Sequence, residues 1–287
     1  MTQLTYLDAS ALRAALPMDR AIHAMRAAFT DDREVPPRVA LAGSLFMPGR
    51  VGAHTGVKVV STVPGHPSGL VAVFGPDGEP LGVVDGPTLT AIRTAAAAGL
   101  ATELLARPDT RVLAMLGAGA MAADQVEAVR AVRPIERTLV WSRDPARAEA
   151  LAARVGAAEP VASIDDAVAA ADVVSCATPA TRPLFAADAV RRGAHLNAIG
   201  AFTPEMAELP AALLHQAWVV VDDLAASTRE AGDLLQADRP ADAEMSDLLA
   251  GRADPPAPGT TTTVYKSTGA ANMDIAAAVA ALASGPL

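Results

Sequence analysis

The sequence predicts an α/β protein: a Rossmann-type, doubly wound parallel sheet joined to a smaller, mixed α+β domain. Three observations carry this. From residue 111 onward, short apolar runs alternate with helical periods. At the head of that region, "LGAGAMA" at 116–122 spaces Gly117, Gly119 and Ala122 as G-x-G-x-x-A between a strand-like run and a helix. Residues 35–85 instead alternate Val-, Leu- and Phe-rich segments with Gly and Pro, the pattern of antiparallel sheet. With 287 residues the chain suits two domains, expected at 1–108 with 266–287 and at 109–265.

Along the chain, residues 17–31, "PMDRAIHAMRAAFTD", place Ile22, Met25 and Phe29 on one helical face and leave His23 in solvent. "VAVFGPDGEPLGVV" at 71–84 is a hairpin by its turn residues. Residues 85–109 form a long helix with Pro87 in its first turn, where a missing N–H is harmless, and Leu89, Ile92, Ala96 and Leu100 as its apolar stripe. Strands then fall at 111–117, 137–142, 158–162, 172–178, 194–200 and 218–223. Helices fall at 120–133, 145–155, 164–170, 186–191 and near 209–215. "GRADPPAPGTTTT" at 251–263 reads as loop. "YKSTGAANMDIAAAVAALAS" at 265–284 reads as a helix entered through a Ser/Gly turn and packed back on the first domain.

Composition narrows the function. Hydrophobic residues make up 51% and aromatics only 3%, so the core is aliphatic. A net charge of -9 without a basic stripe argues against nucleic acid as a partner. The single cysteine, Cys176, excludes an intrachain disulfide framework, fits a reducing compartment and reads as a buried strand residue. The N-terminus lacks a signal-peptide pattern, and no apolar run approaches the roughly 20 residues of a membrane span. A soluble, cytoplasmic protein is expected, with no membrane partner and no metal site.

The glycine turn is the strongest local signal. Gly117 allows a tight turn, Gly119 lets the backbone approach a pyrophosphate, and Ala122 lets helix and strand pack closely. The nucleotide is read at the end of the second strand, "LVWSRDPAR". A carboxylate there suits the ribose of NAD, whereas Ser142 and Arg143 suit a 2′-phosphate, and Asp144 falls one or two residues late. NADP(H) is favoured, with NAD(H) still open.

Taken together, "PPR" at 36–38, "GVKVV" at 56–60, "LTAIRTAAAA" at 89–98, "LGAGAMA", "WSRDPARAEALAARVG" at 141–156, "HLNAIGAFTPEMAELP" at 195–210, "VVVDD" at 219–223 and "YKSTGAA" at 265–271 resemble the ornithine cyclodeaminase/mu-crystallin family. The resemblance implies a homodimer paired through the N-terminal sheet, an active site between that sheet and the Rossmann domain, and a small amino, imino or keto acid as substrate. It implies Arg38, Lys58 and Arg93 as substrate-binding residues, Lys58 also as a catalytic group. The cofactor contacts it implies are Thr94, Gly117, Ala118, Gly119, Ala120, Met121, Ser142, Arg143, Ala177, Thr178 and Ser267.

The residues agree in kind. Lys58 lies among valines, and a buried ammonium is costly unless an anion pairs with it. Arg93 opens an apolar helix and can hold a carboxylate in bidentate fashion. The family's cyclodeaminases carry an aspartate shortly after the "NAIG"-type loop, and the matching position here is Phe202. A phenyl ring cannot manage a proton but can wall a small apolar ring. Glu205 and Glu208 further on read as helix-entry charges. The segment looks more like that of the family's reductases of Δ1-pyrroline-2-carboxylate and Δ1-piperideine-2-carboxylate. The expectation is therefore an NADPH-dependent imino-acid reductase. A cyclodeaminase or another amino-acid dehydrogenase of the family is the alternative, and an NADPH- and ligand-binding protein without turnover is an alternative of another class.

Overall fold

The computed structural model describes residues 4–63 and 68–283. Residues 64–67 of the predicted antiparallel region, residue 284 of the predicted last helix and the chain ends lie outside the described residues. The chain divides into two compact units, Met1–Ala96 with Ala270–Leu287, and Ala97–Gly269. The divisions fall inside the long helix and just before the last one, not at 108 and 266.

The first unit begins with β1 (Tyr6–Leu7), α1 (Ala9–Ala15) and α2 (Met18–Thr30). β2 (Arg33–Glu34), β3 (Val39–Leu41), β4 (Ser44–Val51), β5 (His54–Ser61), β6 (Gly69–Phe74) and β7 (Pro80–Asp85) follow, and α3 (Gly86–Leu105) starts. The sheet order is β1-β7-β6-β5-β4-β2, with β3 on β4. β4 to β7 form an antiparallel meander, the predicted hairpin being β6–β7, while β1 joins β7 in parallel. α2 buries Ile22, Met25 and Phe29 and exposes His23. α3 is buried on every side from Ala91 to Thr102, so the predicted stripe of four residues understates its burial.

The C-terminal helix, Ala271–Leu282, lies directly on this sheet. Two glycines opposite each other on β4 and β5 make room for it. A Cβ on Gly49 would stand 3.0 Å from the Ala271 Cβ, and one on Gly56 would stand 2.7 Å from the Ala72 carbonyl and 3.1 Å from Ile275 Cγ1. Lys58 is two residues from Gly56 and therefore on the same face of β5. This glycine trough brings the residue beside Ile275, Asp274, over the lysine.

The second unit alternates β8 (Val112–Leu116), α4 (Ala122–Val132), β9 (Arg137–Trp141), α5 (Pro145–Val155), β10 (Ala158–Pro160), α6 (Ile164–Ala170) and β11 (Val173–Cys176). It continues with β12 (His195–Ala198), α7 (Ala211–Leu214), β13 (Trp218–Val221), α8 (Leu224–Glu230), α9 (Gly232–Gln236), β14 (Ala243–Glu244), α10 (Met245–Leu249) and β15 (Thr263–Lys266). All eight strands are parallel in the order β10-β9-β8-β11-β12-β15-β13-β14. The chain leaves β8 toward β9 and later returns to its other flank as β11. That reversal opens a crevice at the strands' C-terminal ends, where ligands of such sheets bind.

Some expectations are corrected. The helix predicted at 186–191 is only a 3-10 turn at Ala187–Ala189. Ala120 and Met121 belong to the glycine turn, and α4 starts at Ala122. Tyr265 and Lys266 are strand, not helix: β15 is fully buried between β12 and β13, and the helix starts at Ala271. Cys176 is buried in β11 as expected, and burial pushes its thiol pKa up.

A polar seam crosses the sheet interior. His195 Nδ1 meets Thr263 Oγ1 at 2.9 Å and Nε2 meets Asn197 Oδ1 at 3.1 Å, while Asn197 Nδ2 donates to Thr102 Oγ1 at 3.0 Å. Burial lowers the His195 pKa to about 4, so the seam holds a neutral imidazole.

Candidate active site

In the second unit, a cleft of about 500 Å³ opens at the ends of β8, β9 and β11. Gly117, Ala118, Gly119, Ser142, Arg143, Ala177 and Thr178, all predicted cofactor contacts, line it. Gly117 adopts φ +110°, and a Cβ there would stand 2.5 Å from the Ala177 carbonyl, so the turn requires glycine. A Cβ on Gly119 would meet nothing within 4 Å, which leaves the backbone open to a ligand. Ala122 is fully buried, in one apolar cluster with Leu113, Met115 and Val126. Ala120 and Met121 are not among the walls. Thr94 is buried on α3 in the first unit. Ser267 gives its hydroxyl to Asp222 at 2.8 Å.

The tip of β9 bears on the choice of nucleotide. Asp144 is the N-cap of α5: its Oδ1 accepts from Ala146 N at 3.1 Å, and its Oδ2 lies 3.5 Å from Arg147 Nε. Among the described residues lining the cleft there is no carboxylate, while Arg143, Arg147 and Arg182 all line it.

The loop after β11 is held by a residue misread from sequence. Glu208 is no helix-entry charge: it is fully buried and accepts from Thr178 N at 2.7 Å, Thr178 Oγ1 at 2.8 Å, Gly200 N at 2.8 Å and Ala201 N at 3.2 Å. Every partner is a donor, which is what a carboxylate wants, although burial pushes its pKa up against the pull of Lys266. Behind it Lys266 pairs with Asp233 at 2.7 Å and donates to the Ala201 carbonyl, and Asp233 accepts from Glu208 N at 2.6 Å. Glu205 is exposed, as is Phe202, which retains 52% of its accessible surface.

In the first unit, Lys58 on β5 and Arg93 on α3 are brought together, each about 5% exposed. The anion that sequence reasoning expected from a substrate is partly supplied by the chain. Asp274 Oδ1 lies 3.1 Å from Lys58 Nζ and 3.0 Å from Arg93 Nε, and Lys58 also donates to Thr90 Oγ1 at 2.7 Å. Burial would raise the Asp274 pKa, but Arg93 and Lys58 hold it below the usual value. Burial lowers the Lys58 pKa to about 8, against the pull of Asp274, with Arg93 and the half-buried Arg38 adding to the fall. Two cations meet one carboxylate, so the cluster keeps a positive surplus. Among the described residues, Arg93 Nη1 reaches only Met273 Sδ, at 3.9 Å.

Residues 7–282 match the model of the ornithine cyclodeaminase/mu-crystallin family. The chain belongs to this family. The ketimine reductase mu-crystallin of Mus musculus is 36% identical over 219 residues, 76% of this chain and 69% of that protein. A Δ1-pyrroline-2-carboxylate reductase of Bacillus cereus is 34% identical over 241 residues, 77% of this chain and 74% of its own. Among solved structures, the Δ1-pyrroline-2-carboxylate reductase of Thermococcus litoralis, in complex with NADH and L-proline, superposes with a TM-score of 0.91 at 28% identity, covering 98% of this chain and 97% of that one. Within the ornithine cyclodeaminase/mu-crystallin family frame, three residues escaped the sequence reading, Asp274, Arg147 and Arg182, and a fourth, Glu208, was misread. Asp274 and Glu208 carried a signal, since each is a lone acid in an apolar stretch, "NMDIAAAV" and "MAELP". The two arginines carried none.

Proposed function

We propose that the protein reduces a small cyclic imino acid, Δ1-pyrroline-2-carboxylate or its six-membered homologue, to the cyclic amino acid at the expense of NADPH. The observation that carries this is the buried Lys58–Asp274–Arg93 cluster, whose positive surplus suits one more carboxylate. The family's named imine reductases support it, as does Phe202, which offers no carboxylate where the cyclodeaminases have one.

In this reading Arg93 and Lys58 grip the substrate carboxylate and fix the ring's orientation. Lys58, with a pKa of about 8, is protonated at neutral pH and keeps positive charge beside the ring nitrogen. Asp274 holds both cations in place and limits their mutual repulsion. A cyclic iminium already carries its proton, so no separate carboxylate acid is required. The glycine turn, Thr178 and Ser142 hold the nucleotide, which when bound supplies the hydride. The absence of a carboxylate among the described cleft residues, with Asp144 occupied as a helix cap, supports NADP(H) over NAD(H).

The protein works as a homodimer in this reading. Helices cover one face of the first unit's sheet, while the other carries Phe46, Val57, Val59 and Leu70 in register with the exposed Val39 and Tyr6. Such an apolar sheet face is suited to a second copy. The test is NADPH oxidation with a panel of cyclic imines and of keto acids with amines, alongside ammonia release from ornithine. Turnover confined to cyclic imino acids supports the reading; ammonia release without imine reduction overturns it.

A further inference from the structure

The cleft of the second unit holds more positive charge than the glycine-turn motif accounts for. Its walls include Arg143 just beyond the tip of β9, Arg147 in the first turn of α5, and Arg182 on the loop after β11. The chain as a whole is acidic, with a net charge of -9, and many of its arginines are engaged: Arg50 with Asp32, Arg107 and Arg191 with Asp172, Arg252 with Asp247. The cleft arginines differ. Among the described residues, Arg143 and Arg182 have no hydrogen-bond or ion-pair partner, and Arg147 has only the 3.5 Å approach of its Nε to Asp144. Three guanidinium groups around one concavity without a lining carboxylate form an anion site.

The supports are rigid. Arg147 stands on α5, whose start Asp144 caps. Arg182 stands on a loop pinned at three points: Ala207 N donates to the Ala180 carbonyl at 3.0 Å, Leu184 N to the Glu208 carbonyl at 2.9 Å, and Thr178 N to the Glu208 carboxylate at 2.7 Å. The cations therefore approach from separate walls without a loop having to be ordered first. In sheets of this topology the adenosine ribose lies at the tip of the second strand, here β9. A dianionic phosphate on that ribose is the ligand such a ring of planar, bidentate donors matches.

We propose that Arg147 and Arg182 join Arg143 in a clamp for the 2′-phosphate of NADP(H), and that these two set much of the cofactor specificity. The inference rests on the NADP(H) reading above. Neither residue follows from the strand–turn–helix motif, and they come from elements on opposite sides of the cleft. The clamp acts on binding, so it is read without turnover.

The experiment measures binding of NADPH, NADH, 2′-AMP and 5′-AMP by calorimetry to the wild type and to the R143A, R147A, R182A and R147A/R182A variants. Arg147 and Arg182 are exposed, so the substitutions leave the core intact. The double variant is expected to lose at least about tenfold in affinity for NADPH and 2′-AMP, about 1.4 kcal/mol, while NADH and 5′-AMP stay within about threefold. The loss should shrink as salt rises. A wild type that binds NADPH no more tightly than NADH overturns the NADP(H) reading and the clamp together. A wild type that prefers NADPH, with a double variant that keeps the preference, overturns the clamp alone. Equal losses for NADPH and NADH also overturn it, because the arginines would then serve a phosphate common to both.

Discussion

Replacing Lys58 by methionine should make the protein more stable and nearly inactive. Lys58 is 4% exposed, and its pKa falls from 10.5 to about 8, which corresponds to about 3 kcal/mol spent at neutral pH on keeping the ammonium charged. Methionine keeps the buried stem and removes the charge. Its removal strands little: Thr90 Oγ1 already donates to the Gly86 carbonyl, and Asp274 keeps Arg93. The sign in pH is fixed by linkage. The folded-state pKa lies below the unfolded value, so between about 8 and 10.5 the unfolded chain binds the extra proton and wild-type stability rises with pH. The advantage of the variant, about 3 kcal/mol at pH 7, should therefore shrink to about 1 kcal/mol at pH 9.5. Urea denaturation at the two pH values reads this, and imino-acid reduction should fall by about 30- to 1000-fold, or about 2–4 kcal/mol. A variant less stable than wild type at pH 7, or an advantage independent of pH, would refute the reasoning.

Asp274→Asn should act in the opposite sense, costing about 3–5 kcal/mol by leaving two buried cations without their carboxylate. It should also move the alkaline limb of kcat/KM, expected in the wild type near pH 8 if Lys58 must be protonated, to lower pH; an unmoved limb excludes Asp274 from setting that charge. Because the folded His195 pKa is about 4 against 6.5 unfolded, the wild type should lose about 3 kcal/mol more than His195→Gln as pH falls from 6.5 to 4, measured by denaturant titration. Parallel stability curves would show that His195 does not titrate this way. Glu208→Ala strips the shared acceptor from three backbone N–H groups and a hydroxyl, so NADPH and NADH affinities should drop together with their ratio unchanged; a change in the ratio would mean the carboxylate acts on the 2′-phosphate.

The β/α alternation and the glycine turn were legible because both are local: a period of a few residues and a spacing of six. β15 was not, since "TTTVYK" follows a Pro- and Gly-rich loop and its threonines resemble that loop's continuation, although both faces of the strand are buried. The buried cations of the candidate site were legible from chemistry, Lys58 as a charge among valines and Arg93 as a charge on an apolar helix. Their partner was not, because Asp274 lies 216 residues beyond Lys58 in sequence and meets it only through the Gly49–Gly56 trough. Phe202 shows the limit of matching positions: the alignment of motifs supplied its identity, while its exposure depends on the loop it occupies. Arg182 was hidden for a related reason, since a loop arginine reads as a solvated side chain until the walls facing it are known.

The distance from Lys58 to Asp274 has a consequence for biosynthesis. The meander β4–β7 emerges from the ribosome long before the helix that completes it. Until Ala271–Leu282 arrives, the trough over Gly49 and Gly56 lies open and the lysine has no counter-ion, so it has no reason to leave water. The first unit can close only after the entire nucleotide-binding unit has been synthesised, an order imposed by its high sequence separation. The Lys58–Asp274–Arg93 cluster is thus completed only when this distant segment appears. A chain interrupted before residue 271 would keep a complete parallel sheet and its cleft, yet lack the element that supplies the carboxylate partner of Lys58.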